Sequence, residues 1–174
     1  MPKTGFHLAQ VNVGRIVAPI DSPELAGFVE QLPEINELAD RSPGFVWRMV
    51  DDEGQDATGL RPDGHDDLFL INCSVWESVE ALRAFTYETG HLRVLSRRRE
   101  WFTRMVEPHQ ALWWVPAGHL PSVAEALERV QLVRDQGPGP EAFTFRSPHP
   151  APDEAAAPPA APEAPDGLRT PSRD

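Results

Sequence analysis

Leu68-Phe69-Leu70-Ile71-Asn72-Cys73-Ser74-Val75-Trp76 is apolar on both faces except at Asn72 and Ser74. A strand of that kind belongs in the middle of a sheet covered on its two sides. Downstream, Ser78 caps a helix containing Val79, Leu82 and Phe85 that should end near Gly90, a second helix runs from His91 to about Val106, and Pro108 stops it. Gln110 to Val115 (QALWWV) reads as a strand. After Pro116-Ala117-Gly118, Ser122-Val123-Ala124-Glu125 has the capping-box pattern of a further helix ending at Gly137, and Glu141 to Phe145 suits a short edge strand. Upstream, residues 51–67 form a polar loop with seven acids, and Phe45 to Val50 is a strand. Before it, Ser22-Pro23 opens an amphipathic helix with Leu25, Phe28, Val29 and Leu32 on one stripe. Pro33 should kink or split that helix, and Ser42-Pro43-Gly44 ends it. Phe6 to Val13 alternates as a strand, with His7, Ala9, Val11 and Val13 on one face and Phe6, Leu8, Gln10 and Asn12 on the other. The order strand, helix, strand, strand, helix, strand, then an extra helix, predicts an α+β sheet with helices on one side.

Composition limits the ordered part and excludes several chemistries. Of the 174 residues, 151–174 contain 13 Ala or Pro and no apolar periodicity, so this segment is expected to be a disordered Ala/Pro-rich tail behind a domain over 1–150. One lysine, Lys3, against fifteen arginines argues against Schiff-base chemistry. A single cysteine, Cys73, forbids an intrachain disulfide and a thiolate-rich metal site. The net charge of −11 opposes a broad nucleic-acid footprint. No stretch reaches the ~18–20 apolar residues of a membrane span, so a soluble cytoplasmic protein is the default expectation. DDEGQD fails the alternating ligand pattern of a calcium loop, and His91, His109 and His119 lack metal-ligand spacing, so no metal is expected.

Ser74-Val75-Trp76-Glu77-Ser78 with Leu82, Phe85 and Tyr87, His91 with Arg97-Arg98-Arg99 and Trp101-Phe102, and Leu112-Trp113-Trp114-Val115-Pro116-Ala117-Gly118 with Phe143-Thr144-Phe145 recur in one order. In these elements the chain resembles the domain-of-unknown-function 3291 family, of the dimeric α/β-barrel group that also holds the antibiotic-biosynthesis-type monooxygenases. The resemblance spans about residues 6–150. It implies a ferredoxin-like βαββαβ subunit whose helices cover one face, with two sheets meeting by their other faces as a homodimer. Gln10, Asn12, Arg48, Asn72, Ser74 and Gln110 lie in phase with the less apolar strand face. They could line a cavity there, or be polar positions on an open sheet face or a wet dimer interface.

The segment from His91 to Val106 is the most informative for chemistry. At about 100° per residue from His91, Arg98 falls near about −20°, Phe102 near about 20°, Leu95 near about 40° and Met105 near about −40°. His91 and Arg98 are then centred on an apolar stripe, while Arg93, Arg97, Glu100 and Arg104 face solvent. A buried guanidinium needs an anion, either an internal acid such as Asp67, Glu77 or Glu107 or the anionic oxygen of a ligand. In the functional reading Arg98 holds that oxygen and neutral His91 is the base. His91 could equally be a helix-end hydrogen bonder.

Asn12, Asn72 and Arg48 are candidate ligand contacts, and Trp101 and Trp114 could stack on a planar ligand, although aromatic packing accounts for most tryptophans. The wider group includes a haem-binding variant in which His91 would be the axial ligand, but the chain shows no second haem signature and no organic cofactor is expected. Two functions stay open: a monooxygenase-like enzyme acting on an aromatic or polyketide-like small molecule, and a non-catalytic small-molecule-binding or accessory dimer.

Overall fold

A computed structural model describes residues 5–88 and 96–156. Its sheet has four strands, β1 (Phe6–Arg15), β2 (Phe45–Arg48), β3 (Phe69–Trp76) and β4 (Gln110–Pro116), in the order β2-β3-β1-β4. Every neighbouring pair is antiparallel. The helices are α1 (Ala26–Arg41), α2 (Val79–Glu88), the single turn α3 (Arg98–Trp101), α4 (Val123–Gln136) and the short α5 (Pro152–Ala155). The predicted α+β order is present. A 3-10 turn at Pro23–Leu25 precedes α1, and α1 runs through Pro33 without splitting. At the end of α1, Gly44 holds φ +80° and lets Ala81 of α2 come within 2.6 Å of where a Cβ would stand, which only glycine accommodates.

The sheet's two faces are built differently. Ala9, Val11, Ile71, Cys73, Val75 and Trp113 pack against Ala126, Val130 and Val133 of α4. On the opposite face Leu8, Trp76 and Leu112 pack against Ala39 of α1 and Leu82 and Phe85 of α2. Ile16, Leu25, Phe28, Leu70 and Trp101 form a third cluster, where α1 meets α3. The extra C-terminal helix α4 covers the Val11 face, and most of those side chains are inaccessible to solvent.

Three local expectations change. The helix expected from His91 to Val106 stops at Trp101 in its described part: Phe102 is extended at φ −116°, ψ 141° and bridges Ile16. Main-chain bonds from Val17 to Trp101 and from Thr103 to Arg15 hold it there, taking the place of the bonds a continued helix would make. Met105 therefore packs with the α4-side cluster rather than beside Arg98. The edge strand expected at Glu141–Phe145 joins the sheet by one bridge, in which Phe143 and Leu112 exchange both main-chain bonds at 2.8 Å, while Ala142 and Thr144 bridge locally to Gly139 and Ser147. Order also continues past residue 150. Ala151 is fully buried, and Asp153 accepts a 2.8 Å bond from the Gly5 amide.

Candidate functional site: a cavity between the sheet and the two helices

Strand register brings the polar residues together. Gln10 stands opposite Ser74, and Asn12 stands opposite both Asn72 and Gln110. Directly opposed residues share a sheet face, so these five side chains occupy the face beneath α1 and α2. The mixed strand faces therefore do line a cavity, under the chain's own helices rather than under a second sheet. Its volume is about 360 Å³.

The floor is a hydrogen-bonded ladder. Ser74 Oγ accepts from the Trp76 indole at 2.8 Å and from Gln10 Nε2 at 2.8 Å. Gln10 Nε2 also donates to Asn72 Oδ1 at 2.9 Å, and Gln10 Oε1 accepts from Asn12 Nδ2 at 2.8 Å. With both acceptor positions of Ser74 filled, its hydroxyl proton is free to be donated upward, as is the Asn72 amide. The walls are apolar and aromatic: Phe28, Leu32 and Ile35 from α1, Leu82 and Phe85 from α2, and Trp76 from β3. Polar groups satisfied by one another, buried at Gln10 and Ser74 and exposed at Asn72, with spare donors beneath an apolar chamber, make a pre-formed surface for orienting a small molecule.

The opposite end contains Arg98, Trp101, Phe102 and His109. Trp101 is 2% exposed and lies 5.6 Å from Phe28, ring to ring. Arg97 covers its outer side at 4.7 Å while pairing with Glu100 at 2.9 Å, the solvent-facing role expected for both. Arg98 is half-buried above Phe102, and burial pushes its guanidinium pKa down. Two internal partners considered for it are engaged elsewhere, Asp67 with Arg61 at 3.0 Å and Glu107 beside Arg134 at 3.7 Å, and Glu77 is exposed.

Of the sequence candidates, Asn12, Asn72, Trp101 and Arg98 meet in this chamber. Arg48 reaches its rim but is neutralised by Asp40 at 2.8 Å and donates to the Gln55 carbonyl at 2.7 Å. Trp114 is a correction. Its indole donates to the His149 carbonyl at 2.8 Å and its ring packs with the Leu8 and Phe143 cluster, outside the cavity lining. His91 lies outside the described residues, and with it the base and haem readings that depended on it. Among the described residues no group of three His, Cys, Asp or Glu could hold a metal ion, and no helix is long and apolar enough to cross a membrane.

Sequence reasoning passed over His109 as a chamber residue. It precedes β4, its carbonyl accepts from Val13 N at 2.9 Å, and that bond fixes the imidazole near Arg98. Burial, then the Arg98 charge, holds its pKa below the ordinary value, so the ring is neutral around pH 7. Its one sequence signal was adjacency to Gln110, which faces the chamber.

Comparison with solved structures returns small proteins covered almost in full. SnoaB of Streptomyces nogalater, described as a cofactor-independent oxygenase, is 21% identical over 67% of this chain and 98% of its own, with a TM-score of 0.45. The NE2512 protein of unknown function from Nitrosomonas europaea is 12% identical over 68% and 97%, with a TM-score of 0.43. A monooxygenase from the ActVA-Orf6 gene of Streptomyces coelicolor, in complex with nanaomycin D, is 18% identical over 70% and 96%, with a TM-score of 0.37. Among curated proteins none matches. The family model described as Domain of unknown function (DUF3291) matches residues 7–159, and with nearly the whole folded part inside that match the chain belongs to this family.

Proposed function

We propose that the chain holds an aromatic or polyketide-like small molecule between its sheet and α1/α2 and acts on it as a monooxygenase-like enzyme without an organic cofactor. The observation supporting this reading is the 360 Å³ chamber itself, aromatic above, with the spare donors of Ser74 and Asn72 in its floor and a guanidinium at one end.

The chemistry such a site suits is oxidation of an activated methylene. Removing a proton leaves an electron-rich carbanion, delocalised onto a neighbouring oxygen as an enolate. That anion gives two electrons to O2, a C–O bond forms, and the hydroperoxide loses water to leave a carbonyl: CH2 plus O2 gives C=O plus H2O. No external reductant is consumed. Hydrogen bonds from Ser74 and Asn72 would stabilise the enolate oxygen, Asn12 holds the ladder in register through Gln10, and Arg98 supplies positive charge.

The test is oxygen uptake with a hydroxylated anthrone as probe. One O2 consumed per carbonyl formed is expected for the wild type, with loss of both in Ile35→Trp, which fills the chamber. Binding of the probe with no oxygen uptake would reduce the reading to a small-molecule-binding protein. Absence of binding would overturn it.

A further inference from the structure

The end of the chamber beyond the ladder differs from the rest. The Arg98 guanidinium lies 4.8 Å over the Phe102 ring, with one Nη 3.3 Å from the point where a side chain on Gly14 would begin. It is thus held between an aromatic face and the backbone of β1. The other arginine in the lining, Arg48, is paired with Asp40. The lining's one carboxylate among the described residues, Asp56, accepts from the amide and hydroxyl of Thr58. No carboxylate lies within ion-pair distance of Arg98 among the described residues. A chain with a net charge of −11 has acids to spare, yet none of those described is turned toward this cation. A half-buried guanidinium against an aromatic wall is costly until an anion meets it, and its planar fork matches a two-oxygen acceptor better than a single phenol oxygen.

We infer that, given the ligand-binding chamber proposed above, the Arg98 end is a subsite for an anion that the ligand brings with it. The ligand class is a planar aromatic carboxylate, its ring against Phe28 and Trp101 and its carboxylate on Arg98 with His109 beside it. Arg98 then anchors the ground state, and the enolate of the reacting centre falls to the Ser74 and Asn72 donors farther down the floor. His109 is the second member of the subsite. The charged groups that face it are Arg98 from α3 and Arg134 from α4, and the Glu107 backbone hydrogen-bonds it from its own segment. Burial first, and the two arginines with it, disfavour a proton on the imidazole in the empty site. An anion arriving beside Arg98 offsets the repulsion from that charge, so binding draws a proton onto the ring.

The experiment uses 2-naphthoate and its neutral counterpart 2-naphthamide, followed by quenching of tryptophan fluorescence, since Trp76 and Trp101 line the chamber. The wild type should prefer naphthoate by about tenfold or more. Arg98→Gln should bring the two within about twofold by weakening naphthoate alone, and Arg98→Lys should restore part of the gap. Naphthoate affinity should rise as pH falls from about 8 to about 6, and His109→Gln should flatten that rise while keeping the preference. Equal binding of the two probes to the wild type, or a gap that survives in Arg98→Gln, would overturn the subsite and leave the chamber standing. If neither probe binds, the chamber reading fails and the subsite with it. The wild-type comparison needs no variant, so a misfolded substitution cannot decide the outcome.

Discussion

Ser74 accepts two bonds in a place where Trp76 is fully buried and Gln10 nearly so. Removing the hydroxyl leaves an indole N–H and an amide N–H without an acceptor, and an unmet buried donor costs more than the bond it lost. Ser74→Ala should therefore destabilise the fold by about 1–3 kcal/mol in urea titration, whereas an exposed serine such as Ser147 should tolerate the same change. Gly14 is a second sensitive position. A Cβ there would meet the Phe102 ring at 2.7 and 2.8 Å and an Arg98 Nη at 3.3 Å. Gly14→Ala should push both side chains outward, lowering naphthoate affinity by about tenfold while the naphthamide affinity changes less. Neither requirement is written in the local sequence. Ser74 and Gln10 are separated by 64 positions, and nothing near Gly14 announces an aromatic ring arriving from residue 102.

Element by element, strands and long helices were legible because each has a period and a stop signal: β3 from its apolar run, α4 from Ser122 to Gly137, α1 from its stripe. The segment after residue 96 was not. Its arginines and aromatics satisfy a helical period through Met105, but main-chain bonds to Arg15 and Val17 decide the conformation at Phe102, and these are long-range. The covering role of α4 leads to a direct test. Val130 is 2% exposed and packs in the cluster that holds Cys73, whose thiol pKa is pushed up by burial and by Glu125. Wild-type Cys73 should be inert to a thiol reagent under native conditions. Val130→Asp places a charge in that interface, should lift α4 and expose Cys73, and labelling at a rate unchanged from the wild type would show that α4 does not guard this face.

Glu125 links the same helix to the sheet through the Trp113 indole at 3.0 Å and to the loop after β4 through His119 at 2.7 Å. Burial tends to raise its pKa, but the hydrogen bonds from His119 and Trp113 overcome this and the folded value lies below the ordinary 4.5. A depressed carboxylate contributes stability above its unfolded pKa and loses it as pH falls through the folded one. The stability gap between wild type and Glu125→Gln, about 1 kcal/mol near pH 7, should hold down to the ordinary value of 4.5 and close below it. A gap that widens in acid would show that the charge is not what matters.

At the scale of the molecule, the two sheet faces divide the work. One face is sealed by α4 and supplies rigidity; the other is roofed by α1 and α2 and keeps a chamber. The sequence revealed that division only as strand phase, in the alternation of Gln10 and Asn12 with Ala9 and Val11, and gave no sign of which helix would lie on which side. The ladder, Arg98 and His109 line one chamber of the chain. Binding should then saturate at one naphthoate per 19.3 kDa chain, with an affinity that stays constant as the protein is diluted from about 100 μM to about 1 μM. If a second copy completed the chamber, the affinity would fall along that dilution in step with dissociation, because mass action ties the liganded state to the assembled one. Constant affinity with one-to-one stoichiometry is the outcome required by a site built between a sheet and two helices of the same chain.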